Sequence, residues 1–468
     1  MTHFFIETYG CQMNKAESVS LAGRLTAAGY IQVFSQEAAN LIIINTCSVR
    51  KTAENRIWGR LGFYKKEKTK RDITVLVMGC MPQRISEELL DKKRGVDIVV
   101  GNFHKDKIPA ILAAHRKGRK DCYVDEPESQ NSEAFFTETA PDELNPAKAY
   151  LTISHGCNNF CSYCIVPYLR GREISRSSSS IINEIHKLTE QGVKQVMLLG
   201  QNVNSYGNDT KDITFAQLLK QIARETDVSW VKFMSSHPKD LSEELIEVMA
   251  TEPKISKWLH LALQSGSTSI LQAMNRKYSR EDFLQKIYKL RESIPDIILT
   301  TDLIIGFPGE TEQDYQDTLS IIKEVRFDDA FMYKYNERDN TLAQKTMGDP
   351  IPDEIKVERL TKLIEIQRNI GLENRQAMKG RHFQILHERP ANDGTGRHIG
   401  ISSNELIFLY DGSDDDVGKV IDIEATGVNG STLTGKKWWS TPKCATRIST
   451  FCLFPLRPVR EWSSWQIG

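Results

Sequence analysis

Three cysteines, Cys157, Cys161 and Cys164, share one short stretch, His155-Gly-Cys-Asn-Asn-Phe-Cys-Ser-Tyr-Cys. Three thiolates in a C-x3-C-x2-C spacing can hold three irons of a [4Fe–4S] cluster and leave the fourth iron open to another ligand. Zinc is the competing occupant, but structural zinc takes paired two-plus-two ligands. An inert cluster would leave three thiols on a glycine-containing loop as a redox liability.

A second set is dispersed. Cys11, Cys47 and Cys80 each follow an expected strand: Phe4–Tyr9, Leu41–Asn45 and Val75–Met78. In a parallel sheet all three then lie at the carboxyl edge, where ligand sites form. Together they are again able to hold a cluster with one open iron; the alternative is three small buried core residues. Cys122, Cys444 and Cys452 have no partners at ligand spacing and are read as nonfunctional.

The chain that must position these thiols has 468 residues, enough for roughly three domains. Hydrophobic residues make up 40% and charged residues 26%, which fits a globular protein and excludes collagen-like, disordered and membrane-spanning classes. No run of 18 or more apolar residues occurs, and the charged start Met1 to Glu7 is unlike a secretory signal. The expected compartment is the cytoplasm, where thiols stay reduced, with no membrane partner.

Residues 1–120 alternate strand and helix and predict a parallel sheet covered by helices. Within them, Lys15–Ala28 reads as a helix with Asn14 as N-cap and Gly29 as stop, Leu41 to Ile44 as a strand buried on both faces, and a further helix is expected near Ile85 to Lys93. Residues 121–143 hold eight acids and no Lys or Arg, which predicts a solvated linker. Alternation resumes over 144–375, with strands at Tyr150–Ser154, Gln195–Leu199, Trp230–Ser235, Leu259–Leu263, Ile297–Ile305 and Asp329–Tyr335 and helices such as Ser178–Gln191, Thr214–Arg224 and Arg280–Ser293 between them. Six strands between helices suggest a full or partial (β/α) barrel, with a doubly wound sheet as the alternative. After a long polar helix, residues 376–436 carry short strands at Phe383–His387, Glu405–Tyr410 and Val420–Ala425 and predict a small β-sandwich or OB-like barrel. Residues 437–468 hold four of the seven tryptophans (Trp438, Trp439, Trp462, Trp465) without periodicity and receive no fold.

With these residues assembled, the chain resembles the methylthiotransferase family of radical S-adenosylmethionine enzymes, and within it the tRNA-modifying members. The likeness runs from about residue 3 to 436. It rests on Thr8-Tyr-Gly-Cys-Gln-Met-Asn14, Asn45-Thr-Cys-Ser-Val-Arg50, Gly79-Cys-Met-Pro-Gln-Arg84, the run from Cys157 to Arg172, Leu199-Gly-Gln-Asn-Val-Asn-Ser-Tyr206 and Phe331-Met-Tyr-Lys-Tyr-Asn-Glu-Arg338. A relative acting on a ribosomal protein, and one acting on threonylcarbamoyl-adenosine tRNA, differ after the first cysteine; they are the alternatives in the same chemistry. A non-catalytic iron–sulfur protein that binds RNA or carries electrons is the alternative of another class.

The resemblance implies an α/β parallel-sheet domain, a partial (β/α)6 TIM-type barrel and a small RNA-binding β-barrel of the TRAM type. It implies two [4Fe–4S] clusters and S-adenosylmethionine. The cluster on Cys157, Cys161 and Cys164 would cleave S-adenosylmethionine to a radical that takes hydrogen from C2 of the base. The cluster on Cys11, Cys47 and Cys80 would carry the sulfur. The substrate implied is N6-isopentenyladenosine at position 37 of tRNA, converted to its 2-methylthio form. Implied partners are tRNA, an electron donor such as flavodoxin or ferredoxin, and a donor of sulfur or clusters, around a monomer.

Further residues carry over with the motifs. Tyr163, Gln201, Asn202, Gln264, Ser265 and Asp302 would meet the cofactor. Arg170, Arg172, Arg176, Arg338 and Arg381 are candidate RNA contacts, as are Tyr333, Lys334, Tyr335, His382, Arg389 and Arg397. Lys plus Arg and Asp plus Glu are both 61, so net charge is zero; outside the acidic linker the balance is 61 to 53, a formal +8.

Overall fold

The computed structural model describes residues 2–48, 51–125, 136, 139–210, 212–348 and 350–438. Six parallel strands form the N-terminal sheet: β1 (His3–Thr8), β2 (Ile31–Gln32), β3 (Leu41–Thr46), β4 (Thr74–Gly79), β5 (Ile98–Val100) and β6 (Asp121–Tyr123), in the order β2-β1-β3-β4-β5-β6. Helices α1 (Gln12–Ala27) and α4 (Ile108–Ala114) cover one face through Leu21, Leu25, Ile108 and Ile111. Helices α2 (Lys51–Glu67) and α3 (Cys80–Leu90) cover the other through Ile57, Leu61 and Leu89. With helices on both sides, every residue of β3 is buried, which explains its unbroken apolar run.

The central unit holds β7 (Lys148–Thr152), the short pair β8 (Ser154–His155) and β9 (Ile174–Ser175), then β10 (Gln195–Leu199), β11 (Trp230–Phe233), β12 (Trp258–His260), β13 (Ile298–Ile305) and β14 (Asp329–Lys334). Its six main strands run parallel in the order β7-β10-β11 and β12-β13-β14, joined by parallel bridges Val231 to Ile255 and Ser236 to Leu261. Among the described residues no ladder joins β7 to β14, so the barrel is partial. Amphipathic helices form its outer wall; Ser177, Thr214, Ser279 and Thr311 cap four of them by accepting a backbone N–H three residues on.

Five strands, β15 (His382–Pro390), β16 (His398–Ser402), β17 (Ile407–Tyr410), β18 (Val420–Asn429) and β19 (Thr432–Lys437), close a barrel in the order β15-β16-β17-β19-β18. This small barrel abuts the central one. Its Leu406 and Phe408 share a core with Met197, Leu199, Trp258 and Ile298, and Met13 and Ala16 of α1 join the same core. The fully buried Lys232 donates to Ser402 O at 2.8 Å and Glu405 Oε1 at 3.0 Å, while Ser256 Oγ donates to Ser403 O at 2.6 Å. Among the described residues no helix is long and apolar enough to cross a membrane.

Four expectations are corrected. Asn14 is not an N-cap: α1 starts at Gln12 with Cys11 at the cap, and the buried Asn14 amide donates to Tyr9 O and Thr46 O. Residues 121–123 are not linker but the sixth strand, where buried Asp121 meets His115 and Arg119. Helix α3 begins at Cys80 rather than near Ile85, whose φ of −135° marks a kink. In the small barrel, β16 and β19 lie where no strand was expected, and Trp438 continues β19 by packing edge-on to His382, ring centroids 4.3 Å apart. The linker acids at 126, 128, 133 and 138, and the tail from 439 with Cys444 and Cys452, lie outside the described residues.

Candidate active site

Cys11, Cys47 and Cys80 stand at the carboxyl ends of the neighbouring strands β1, β3 and β4, the edge where doubly wound sheets bind ligands. All three line one small cavity. Gly10 lets the first two loops meet: at φ +122°, a Cβ there would lie 2.5 Å from Cys47 Cβ. The sulfurs have polar company. Cys11 Sγ lies 3.6 Å from Asn14 Oδ1, and Asn102 Nδ2 points at Cys80 Sγ from 3.8 Å.

The cavity's far wall belongs to the central unit: Ile165, Val166, Leu169, Arg170 and Gln201. Four of these lie on or beside α5 (Val166–Arg170), the short helix that follows Cys164. That helix therefore has the dispersed cysteines on one side and begins at the clustered cysteines. Leu169 and Ile165 pack directly on Cys80.

Cys157 and Cys161 are buried and Cys164 is half-buried. Their loop is fixed at both ends. Cys157 N–H donates to Gly171 O at 3.2 Å, Ser162 N–H to Met274 O at 3.0 Å, and Asn275 Nδ2 to Phe160 O at 2.9 Å. Arg276 Nη1 approaches Cys161 Sγ at 3.5 Å. Burial pushes the Cys157 thiol up to about 11 and Cys164 to about 12, with Cys161 adding to both. Adjacent buried thiols resist losing protons until a cationic centre arrives, so this donor set suits a metal cluster better than free thiolates. The dispersed set also fits: it offers three sulfurs, apolar side chains on one wall and an N–H, that of Asn102, aimed at Cys80. Among the described residues no three His, Cys, Asp or Glu side chains are placed to hold a single metal ion. A four-iron cluster takes one thiolate per iron, so its ligands surround it instead of pointing at one position.

The other expected residues part company. Tyr163 is half-buried, with its ring centroid 6.5 Å from that of Phe307. Gln201 lies at the dispersed-cysteine cavity, its Nε2 3.0 Å from Met13 Sδ. Asn202 has both ends of its amide engaged, by Asp240 Oδ2 at 2.7 Å and His237 N–H at 3.1 Å. Gln264, four residues past β12, adopts a left-handed conformation, φ +73°, and its buried Oε1 has no partner among the described residues. Ser265 is buried and accepts from Ser267 N–H. Asp302 lies inside the barrel, where His260 reaches its Oδ2 at 3.1 Å.

The arginines divide as sharply. Arg170 is buried and donates to Glu17 Oε1 at 2.9 Å. Arg176 is buried against Glu184 and Ser180. Neither presents a charge to an RNA backbone. Arg172 is exposed and stacks over Phe160 at 4.4 Å, and Tyr168, also exposed, meets Phe160 edge-on at 6.0 Å. Arg381 is exposed beside Asp296 at 3.0 Å, Arg389 is exposed, and Arg397 leans on Asp393. Arg338 is half-buried near Glu54, Arg84 and Cys47. Lys334 pairs with Asp353, and Tyr335 is buried against Phe307.

Sequence reasoning missed Glu17, Lys105, His260 and Arg276. For His260 a signal was present: Trp258-Leu-His260 alternates with period two, placing a polar group on the lumen face beside Thr300 and Asp302. Arg276 and Lys105 meet their partners only through tertiary folding.

Residues 3–101 match the family model described as Uncharacterized protein family UPF0004, and residues 151–322 match Radical SAM superfamily. A tRNA-2-methylthio-N(6)-dimethylallyladenosine synthase of Clostridium novyi (strain NT) is 41% identical over 438 residues, covering 92% of this chain and 96% of that protein. One of the same name from Clostridium botulinum (strain Hall) is 41% identical over 439 residues, covering 93% and 96%. Among solved structures, the cobalamin-dependent S-adenosylmethionine radical enzyme OxsB aligns with TM-score 0.50 at 13% identity, over 78% of this chain and 56% of that one. The radical S-adenosylmethionine methyltransferase TsrM from Kitasatospora setae aligns with TM-score 0.50 at 13% identity, over 71% and 72%. At that identity these two likenesses bear on the fold alone.

Proposed function

Because the chain belongs to the family of the tRNA-2-methylthio-N(6)-dimethylallyladenosine synthases, within the radical S-adenosylmethionine superfamily, we propose that it methylthiolates C2 of N6-dimethylallyladenosine at position 37 of tRNA. It is a transferase, converting C–H to C–SCH3. The observation that carries the reading is the placement of two cysteine triplets on either side of α5, one on the sheet edge and one on the first barrel loop.

In this reading Cys157, Cys161 and Cys164 hold one [4Fe–4S] cluster and Cys11, Cys47 and Cys80 a second. When bound, the clusters and S-adenosylmethionine supply hydrogen abstraction at C2 and the sulfur placed there. The chain's own residues position and enclose. Arg276 and Asn102 turn N–H groups toward the ligating sulfurs. Ile165 and Leu169 shield the Cys80 side of the second site, while Cys11 faces solvent. Gln264 Oε1, four residues past β12 and without a partner among the described residues, would accept a hydrogen bond from the cofactor. Arg172, with Phe160 and Tyr168, offers a cation and aromatic faces to the anticodon loop, and Arg381 a charge on the small barrel. An electron donor such as flavodoxin or ferredoxin and a donor of sulfur complete the cycle in the cytoplasm.

Anaerobic reconstitution with iron and sulfide, followed by S-adenosylmethionine, reductant and dimethylallylated tRNA, tests the reading by nucleoside analysis. The methylthio nucleoside and 5′-deoxyadenosine are expected together. Cleavage of S-adenosylmethionine with unaltered tRNA would refute the substrate.

A further inference from the structure

The interior of the central barrel carries a hydrogen-bond chain with a direction. Trp258 Nε1–H can only donate, and it donates to Thr300 Oγ1 at 3.2 Å. His260 Nδ1 lies 3.0 Å from the same oxygen, and among the described residues the Thr300 hydroxyl proton has no other acceptor. Thr300 O–H therefore donates to Nδ1, the imidazole proton sits on Nε2, and Nε2–H donates to Asp302 Oδ2 at 3.1 Å. The chain ends on a carboxylate. Asp302 Oδ1 takes no hydrogen bond among the described residues, and the side chain keeps 29% exposure.

The wall beside it is apolar. Asp302 and Phe331 are register partners on β13 and β14, so their side chains share the lumen face. Phe331 is 44% exposed, and its ring meets His260 edge-on with centroids 5.8 Å apart. A fixed acceptor oxygen beside an open aromatic face matches a heterocycle that carries an N–H donor. A half-enclosed carboxylate oxygen without a donor is costly, and a base N–H would relieve that.

The geometry points to Asp302 as the residue that reads the substrate base, accepting the exocyclic N6–H of the N6-alkyladenine while Phe331 packs on its apolar part. This rests on the tRNA reading above and departs from the sequence-based assignment of Asp302 to the cofactor. Asp302 is mid-strand in Ile298–Ile305, below the strand ends where cofactor contacts are expected. His260 is a positioning residue: it aims the carboxylate and does not touch the base.

Two anticodon stem-loops test this on the reconstituted full chain: one with N6-dimethylallyladenosine, one with the same base N6-methylated so that the N–H is gone. The unaltered enzyme should favour the first by about 10- to 100-fold in kcat/KM. Asp302→Asn, which presents an amide N–H to the base, should bring that ratio near one while S-adenosylmethionine affinity stays unchanged. His260→Gln should lower the ratio part way. Equal rates on the two stem-loops with the unaltered enzyme would overturn the proposal without any variant. So would a ratio that survives Asp302→Asn, or a loss of S-adenosylmethionine affinity in that variant with the ratio intact. If S-adenosylmethionine is cleaved but neither stem-loop is modified, the tRNA reading itself falls.

Discussion

Arg170 and Glu17 join the two cysteine sites: Arg170 Nη1 donates to Glu17 Oε1 at 2.9 Å, and each residue stands six positions past a cysteine, Cys164 and Cys11. Glu17 also takes Lys105 at 2.6 Å, so one carboxylate serves two cations. Removing it by Glu17→Gln leaves both cations buried and uncompensated. A loss of about 3–5 kcal/mol is expected, measured by chemical denaturation. The double variant Glu17→Gln/Arg170→Gln should lose less than the sum of the single changes.

The same carboxylate gives an acid signature. Burial alone would raise the Glu17 carboxyl, but Arg170 and Lys105 outweigh it and hold the group at about 2, below its ordinary 4.5. A depressed carboxyl stabilises the fold fully above its unfolded value and stops doing so as pH falls through the folded one. The contribution, on the order of 3 kcal/mol, should thus vanish between about pH 4.5 and pH 2. In Glu17→Gln the stability profile over that window should be flatter.

The two triplets should separate chemically. Reconstituted protein is expected to hold about eight irons per chain. Cys157→Ala should reduce this to about four and abolish 5′-deoxyadenosine. Cys80→Ala should also reduce it to about four, yet keep S-adenosylmethionine cleavage and lose only the methylthio product. Iron analysis and chromatography decide.

Gly156 precedes Cys157 at φ +74°, and a Cβ there would stand 1.9 Å from Arg172 O. Gly156→Ala therefore forces the loop off its path, at a cost of at least about 2 kcal/mol. The iron of the clustered site should be lost while the dispersed site still loads, visible as half the iron content.

Exposure separates the arginines. Arg172→Ala should weaken stem-loop binding and reduce the magnitude of the salt slope by about one. Arg176, locked against Glu184 and Ser180, should when changed to alanine lower stability and leave that slope alone. Filter binding at graded salt, beside thermal unfolding, checks both.

Much of this arrangement was legible in the sequence. Strand-then-cysteine at Cys11, Cys47 and Cys80 reports a local pattern, and the parallel sheet turns that pattern into a common edge. The Gln195–Leu199 strand and the Arg280–Ser293 helix were readable to the residue, because apolar period and capping serine are local signals. Asn14 misled because its side-chain type suits a cap, while its amide ties the end of β1 to the end of β3. Arg170 and Arg176 looked like RNA contacts because charge is visible in a sequence and burial against Glu17 or Glu184 is not. The strand His398–Ser402 was missed because His398, Gly400 and Ser402 weaken its strand signal, although its partners on β15 and β17 are near in sequence.

The turn from Ser402 to Glu405 accepts from Lys232 of β11 and from Ser256 just before β12, which fastens the small barrel to the central strands. Tied through both Lys232 and Ser256, the small barrel keeps a fixed bearing on the central strands, so a charge it carries, such as Arg381, stands at a set distance from the cysteine loops.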